Sequence, residues 1–277
     1  MPDTLYDRHR ELLERAARAI GERTFYTPYP EHHSAYPEAA WHAGKVAFEE
    51  QLGKRFEGLL QPASKRWVGG ETSPYTAKAL GIAYPCASPD ELVGRAEEAW
   101  KSWRQVPVTA RAGLLAESLE RLRERFFAMA YATMHTTGQS FMMAFQASGP
   151  HACDRAMEAV ALGLQEMTRF PAAVDWEKPV GKSTIRLAKR FKPVPRGIGL
   201  VIGCSTFPVW NSVPGLYANL MAGNPVIVKP HPGAVLPIAL VVAELQQLLH
   251  EQQLDPLTVQ LAADSADEPL AKALAQH

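Results

Sequence analysis

Short apolar runs alternate with helical segments from residue 197 onward, and this alternation constrains the fold more than any other feature of the sequence. The runs that read as strands covered on both faces of a parallel sheet are residues 198–203, 225–228 and 257–261. The helices predicted after each of them are residues 208–222, 236–252 and 268–276. Strands and helices in this order are typical of a doubly wound α/β sheet built from right-handed crossovers.

The chain upstream is predicted to be mainly helical. Apolar residues recur at helical spacing over residues 5–20, and Ser88 starts a capping box in which Glu91 stands three residues later. Further helices are predicted over residues 37–60, 110–134 and 150–169. Short extended segments joined by turns are predicted over residues 67–84. We therefore divide the chain into a helical N-terminal extension, residues 1–66, and a larger domain, residues 67–277.

A basic, polar strand is predicted between residues 179 and 195. Its lysines and arginines favour a solvated, partly exposed strand face, and a phosphate-binding patch is the alternative.

The charge balance and the cysteines exclude several classes of partner. Lysine plus arginine and aspartate plus glutamate each number 29, so there is no excess of positive charge for nucleic acid or an anionic membrane. No apolar stretch reaches the roughly 18 residues that span a bilayer. The three cysteines are widely spaced and form no CxxC pair, which fits a reducing compartment and indicates no structural metal. We expect a cytoplasmic protein.

Ligands of an open α/β sheet bind outside the carboxyl ends of its strands, which here are residues 204–207 and 229–233. The dinucleotide fingerprint GxGxxG is missing, because Gly197, Gly199 and Gly203 lie before or within the strand rather than at the start of the helix. Spacing alone therefore predicts a generic nucleotide site at these two loops.

Several motifs together resemble the aldehyde dehydrogenase superfamily over about residues 67–277. These motifs are Pro-Arg-Gly-Ile-Gly-Leu-Val-Ile at residues 195–202, Phe207-Pro208, Ala-Gly-Asn-Pro-Val-Ile-Val-Lys-Pro at residues 222–230, and upstream Trp100, Trp103, Arg111 and residues 137–139. The segment before Trp67, Ser73-Pro74-Tyr75 and residues 80–85 resemble a narrower branch, the PaaN-type aldehyde dehydrogenases of phenylacetate degradation.

The resemblance implies an aldehyde dehydrogenase-like doubly wound sheet, present here as an incomplete cofactor-binding domain. It implies oxidation of a small-molecule aldehyde to the acid with NADP or NAD. The narrower branch implies an aldehyde formed after ring opening of a phenylacetyl-CoA derivative, so that a CoA thioester is a candidate substrate. The resemblance also implies a homo-oligomer for the full-length protein, in which the strand near residues 179–195 takes part in contacts between subunits.

Site residues follow from the same resemblance. Lys229 would hold the adenosine ribose or its 2′-phosphate, as an ammonium group suits both, and a lysine that only extends to the surface is the alternative. Thr206 stands where the family has an asparagine that helps to hold the oxyanion; a hydroxyl can also donate one hydrogen bond, and a simple loop cap is the alternative. The residues expected to line the nicotinamide end are Ile202, Gly203, Cys204, Ser205 and Thr206.

His231 and Pro232, in the loop that follows Lys229, bear on the choice of cofactor. Pro232 replaces a glutamate that in many NAD-preferring relatives repels a 2′-phosphate, so the resemblance makes NADP acceptable. His231 is a candidate phosphate contact, with a solvent-facing loop histidine as the alternative.

The nucleophilic cysteine and the general-base glutamate of the family are matched by no residue of this chain. Cys204 has no histidine or carboxylate at short spacing to activate it, and Cys86 and Cys153 read as packing residues. We therefore expect this chain to be the N-terminal half of the enzyme and to be inactive alone. A noncatalytic nucleotide-binding module and an inactive truncated fragment are the alternatives.

Overall fold

The computed structural model describes residues 2–62 and 65–277. Within them the helices are α1 (Pro2–Glu22), α2 (Glu38–Glu49), α3 (Pro89–Trp103), α4 (Val108–Glu124), α5 (Phe126–Thr137), α6 (Phe141–Ser148), α7 (Pro150–Met167), α8 (Pro208–Met221), α9 (Leu236–Glu251) and α10 (Ala271–Gln276). The strands are β1 (Arg66–Val68), β2 (Tyr84–Cys86), β3 (Ala173–Val180), β4 (Ser183–Arg190), β5 (Gly199–Ile202), β6 (Val226–Lys229) and β7 (Val259–Leu261).

The predicted doubly wound parallel sheet is confirmed. Strands β5, β6 and β7 pair in parallel in that order, and helices α8 and α9 connect them. Successive side chains of β6 point to opposite faces: Ile227 packs in a cluster with residues of α3 and α10, whereas Val226 and Val228 join the main core with α8 and α9. Both faces of the sheet are therefore covered by helices.

Strand β5 is less covered than its apolar sequence predicts. Gly199 is buried, but Ile202 at the other end is 54% exposed. Among the described residues β5 is an edge strand that pairs with β6 alone, whereas β6 lies between two neighbours and is buried throughout. Coverage of β5 on both faces is confirmed in part: Leu200 packs against the cluster that contains Ile227 and Val201 packs against the main core, whereas Ile202 at the end of the strand is exposed.

Two helical predictions need correction, and one helix is missing from the prediction. Helix α2 ends at Glu49 instead of running to residue 60, because Gly53, at φ +71°, turns the chain so that its N–H donates to the Leu80 carbonyl at 2.9 Å. The helix predicted over residues 110–134 is two helices, separated at Arg125, whose φ of −102° and ψ of 4° leave the helical region. Helix α6 is absent from the sequence-based prediction. The capping box of Ser88 and Glu91 is confirmed.

Helix α1 packs directly on the rest of the chain. Leu5 and Leu13 belong to the main core, and a Cβ on Gly113 of α4 would lie 2.3 Å from the backbone nitrogen of Tyr6, so glycine permits this close approach. The proposed boundary between residues 1–66 and 67–277 stays a prediction, and residues 1, 63 and 64 of that extension lie outside the described residues.

The basic segment forms a hairpin and not a single strand. β3 and β4 pair antiparallel around Gly181, at φ +60°, and every residue of both strands is exposed. The sequence prediction covers β4 but misses β3. Alternation places Trp176, its partner Leu187 and Ile185 on the same face, together with Lys178 and Lys189, so this face is the more apolar of the two although the hairpin is solvated.

A buried carboxylate from the turn region caps helix α9. Glu71 is 3% exposed; its Oε1 accepts the backbone N–H of Val235 at 2.6 Å and of Leu236 at 2.8 Å, and its Oε2 accepts the Tyr84 hydroxyl at 2.5 Å. Two N–H groups that helix geometry leaves unpaired thereby find an acceptor. This contact fixes the start of α9, and so the loop between β6 and α9 that borders the site. No helix among residues 2–62 and 65–277 is long and apolar enough to cross a membrane.

Candidate nucleotide site

The structure brings the two predicted loops together at the carboxyl edge of the sheet and adds a third. Ile202 pairs with Lys229, and the N–H of Gly203 donates to the Lys229 carbonyl at 2.8 Å. On the other side of β6, the N–H of Ala262 donates to the Val228 carbonyl at 2.8 Å. The segments that follow β5, β6 and β7 therefore lie side by side, where ligands of an open α/β sheet bind.

Gly203 lies in close contact with helix α8 and with the segment after β6. A Cβ there would lie 2.9 Å from the Ser212 hydroxyl oxygen and 3.4 Å from the Pro230 Cα. The Ser212 hydroxyl is buried and has no hydrogen-bond partner among the described residues. Glycine at this strand end therefore allows helix α8 and the loop after β6 to pack closely against the backbone, with the Ser212 hydroxyl enclosed between them.

Lys229 forms a buried ion pair. Its Nζ lies 2.8 Å from Oδ2 of Asp264 and donates to the Pro230 carbonyl at 2.9 Å. Asp264 Oδ2 also accepts the Leu270 N–H at 2.9 Å, whereas its Oδ1 is buried without a partner among the described residues. Asp264 is missing from the residues predicted for the site. The available signal was an acidic residue just after the third strand, at the carboxyl edge of the sheet.

The residues that follow Lys229 form a tight turn. His231 is exposed, and its Nδ1 accepts the N–H of Gly233 at 3.1 Å, so one ring nitrogen is used inside its own turn. Pro232 is half-buried beside it. The structure thus places both residues at the predicted edge, and a cofactor contact for either stays a prediction.

Donors surround the sulfur of Cys204 in the loop after β5. Its Sγ lies 3.1 Å from Nδ2 of Asn211, 3.4 Å from the backbone nitrogen of Phe207 and 3.6 Å from Oγ1 of Thr206. Partial burial alone would raise the pKa of this thiol, but these hydrogen bonds outweigh it and hold the pKa below its usual value. The sequence gives no sign of the contact between Asn211 and sulfur.

Gln139 holds the same loop from the opposite side. Its Nε2 donates to the backbone carbonyl of Thr206, and its backbone carbonyl accepts the Tyr75 hydroxyl at 2.7 Å. The side chain of Thr206 is exposed, Ser205 is half-buried, and both follow the half-buried Cys204. In the sequence, residues 137–139 stand out only as a motif, and the oxyanion role of Thr206 stays a prediction.

Replacing Asn211 by leucine is expected to slow alkylation of Cys204 by iodoacetamide at neutral pH by about two- to tenfold. Leucine has a similar size but cannot donate to sulfur, so the pKa of the thiol rises and its thiolate fraction falls. Mass spectrometry can follow this site selectively, since Cys86 and Cys153 are buried. The rate profile against pH should shift to higher pH.

The control for this experiment is Gln247→Leu, which removes an exposed amide on α9 and should leave the Cys204 profile unchanged. An unchanged profile in the Asn211 variant would show that the contact with sulfur does not stabilise the thiolate.

Comparison with known proteins finds dehydrogenases among both the similar sequences and the similar structures. The chain is 26% identical over 251 residues to a 1-pyrroline-5-carboxylate dehydrogenase of Bacillus cereus, an alignment that covers 85% of this chain and 45% of the relative. Among solved structures, an NAD-dependent aldehyde dehydrogenase from Burkholderia multivorans superposes with a TM-score of 0.92 at 48% identity, over 98% of this chain and 48% of the other. A Thermus thermophilus 1-pyrroline-5-carboxylate dehydrogenase mutant shares the fold, with a TM-score of 0.66 at 19% identity, over 91% and 48%.

The chain spans about half the length of these relatives. The sequence model of the Aldehyde dehydrogenase family matches residues 71–277, which is most of the chain and includes all three strands of the parallel sheet. The chain belongs to the aldehyde dehydrogenase family.

Proposed function

We propose that the protein carrying this chain oxidises an aldehyde with NAD or NADP, and that this chain supplies most of the dinucleotide-binding part. The observation that carries the proposal is the meeting of Gly203, Ser212 and the Lys229–Asp264 pair at the carboxyl edge of the sheet. The Burkholderia multivorans relative, described as NAD-dependent, supports it. So do solved structures of this fold that contain bound NAD or NADP.

The residues present have separable tasks in this proposal. Lys229 and Asp264 receive the ribose end of the dinucleotide, and Gly203 lets the segments after β5 and β6 pack side by side beneath it. Gln139 holds the Thr206 carbonyl and so fixes the loop from which the Thr206 hydroxyl would turn away from the Cys204 sulfur to donate toward developing negative charge on the aldehyde oxygen. A bound dinucleotide would supply the hydride acceptor.

We further propose that no cysteine of this chain is the nucleophile, so that residues 1–277 alone do not turn over aldehydes. Cys86 and Cys153 are buried. The groups that contact the Cys204 sulfur are a side-chain amide, a backbone N–H and a hydroxyl, none of which serves as a general base at neutral pH.

The proposed substrate is an aldehyde from a ring-opened phenylacetyl-CoA derivative, which rests on the resemblance of residues 73–75 and 80–85. Tyr75 of that motif donates to the backbone of Gln139, which in turn holds the loop of Thr206. The competing substrate is 1-pyrroline-5-carboxylate, named for relatives at 26% identity. The proposal includes a cytoplasmic homo-oligomer, for which the apolar face of the β3–β4 hairpin offers a contact surface.

The test is the formation of reduced dinucleotide by the natural protein that carries this chain, followed by absorbance with a panel of aldehydes. A CoA-linked ring-opened semialdehyde is expected to react best, 1-pyrroline-5-carboxylate poorly, and residues 1–277 alone not at all. Absence of reduced dinucleotide with every aldehyde would overturn the oxidation proposal. Aldehyde-dependent turnover by residues 1–277 would overturn the statement on the nucleophile only.

A further inference from the structure

A carboxylate lies beside Lys229, although the loop that follows Lys229 in the sequence contains no acidic residue. The position two residues after Lys229-Pro230 is Pro232, so no acidic side chain arises from the β6–α9 loop there. The carboxylate comes instead from Asp264, after β7, across a distance of 35 positions in sequence, and it lies 2.8 Å from the ammonium nitrogen. Its orientation is set by the Leu270 N–H at 2.9 Å on the same oxygen.

The pair leaves little positive charge for a phosphate. Lys229 is 6% exposed and Asp264 is 3% exposed, so water compensates neither charge and each depends on the other. A ribose 2′-phosphate carries about two negative charges at neutral pH. It could engage the ammonium only by competing with Asp264, and the carboxylate would then repel it at short range.

A ribose hydroxyl has the opposite requirement, because it is a donor that needs an acceptor. Asp264 Oδ1 is such an acceptor, since it is buried and has no hydrogen-bond partner among the described residues, while Oδ2 is already shared between Lys229 and Leu270. A buried carboxylate oxygen without a donor is uncommon in folded proteins and indicates a donor that arrives with a ligand.

From this geometry we propose that Asp264 is the residue that selects NAD over NADP in this protein, by neutralising Lys229 and by presenting Oδ1 to the ribose hydroxyl. The inference rests on the proposed function and specifies its cofactor. It also reverses the expectation drawn from Pro232 alone, because the missing glutamate is replaced by a carboxylate from the segment after β7.

Binding, measured apart from turnover, tests this assignment. Isothermal titration calorimetry of the natural protein with NAD⁺ and with NADP⁺ is expected to give a dissociation constant at least about tenfold higher for NADP⁺. In Asp264→Asn, which keeps the acceptor for Leu270 but removes the charge, the ratio of the two constants should fall at least about tenfold, mainly through tighter NADP⁺ binding. Asp264→Glu, which keeps the charge, should retain the preference for NAD⁺.

Asp267→Asn is the matched control, since it removes an exposed carboxylate from the same loop and should leave the ratio unchanged. The assignment is wrong if the wild-type protein binds NADP⁺ as tightly as NAD⁺, or if a folded Asp264→Asn protein binds both with the wild-type ratio. If Asp264→Asn does not fold, equal binding of the two dinucleotides by the wild-type protein, or loss of the NAD⁺ preference in Asp264→Glu, would still overturn the assignment. Binding of neither dinucleotide would overturn the proposed function together with this inference, whereas binding without preference would overturn the inference alone.

Discussion

Replacing Glu71 by alanine is expected to lower the free energy of unfolding by about 3–5 kcal/mol. The carboxylate is the acceptor for the N–H groups of Val235 and Leu236 and for the Tyr84 hydroxyl, and all of these lie in the interior. A buried donor left without an acceptor costs about 1–3 kcal/mol. The sum is reduced because the void created by alanine is polar and can admit water, and because a buried charge is removed.

Urea unfolding of the two proteins measures this loss. Glu71→Gln should cost less than Glu71→Ala, since the amide keeps one acceptor oxygen and the shape of the side chain. Glu57→Ala, which removes an exposed glutamate, is the control and should change stability by less than about 0.5 kcal/mol. A loss below about 1 kcal/mol in Glu71→Ala would show that the cap does not stabilise α9.

The pH dependence of this site has a definite sign. Burial raises the pKa of Glu71 above its usual value, although the hydrogen bonds from Tyr84, Leu236 and Val235 oppose the increase. A carboxyl group whose pKa is raised by folding contributes most to stability below its unfolded pKa and loses that contribution as the pH rises through the folded pKa. The stability of the wild type relative to Glu71→Gln should therefore decrease as the pH rises above about 4.3.

The elements of the parallel sheet could be predicted because each is encoded locally. The run from Val226 to Val228 is apolar without interruption, Gly223 adopts a φ of +86° where a helix C-terminus was expected, and Ser88 caps α3 as its spacing indicates. Such signals depend on neighbours within one or two turns of the chain, so the sequence contains them in full.

Features built by distant residues could not be predicted in the same way. Asp264 forms an ion pair with Lys229, which lies at the end of β6. Glu71 accepts a hydrogen bond at the start of α9, although more than 160 residues separate the two partners in sequence. Ile202 has an apolar side chain, yet it is exposed, whereas Val201 beside it in sequence packs against the main core. Contacts and burial of this kind depend on the folded structure and produce no periodic pattern in the sequence.

Replacing Lys229 by methionine is expected to lower the free energy of unfolding by about 3–5 kcal/mol, because it leaves the Asp264 carboxylate buried without its counter-ion. Asp264→Asn alone should destabilise the protein for the reciprocal reason. In the double variant Lys229→Met and Asp264→Asn, neither buried charge remains, and the amide oxygen introduced by Asp264→Asn can still accept the Leu270 N–H. The double variant should therefore lose about 2–3 kcal/mol less stability than the sum of the two single losses.

The double-mutant cycle, measured by urea unfolding at neutral pH, isolates the pair from its surroundings. We expect a coupling free energy of about 2–3 kcal/mol between the two positions, well above the value of about 1 kcal/mol or less found for exposed ion pairs. Additive effects of the two substitutions would contradict the buried pair and would leave Lys229 free to bind a 2′-phosphate. Strong coupling, by contrast, means that any phosphate must displace a carboxylate that the fold itself holds against the lysine.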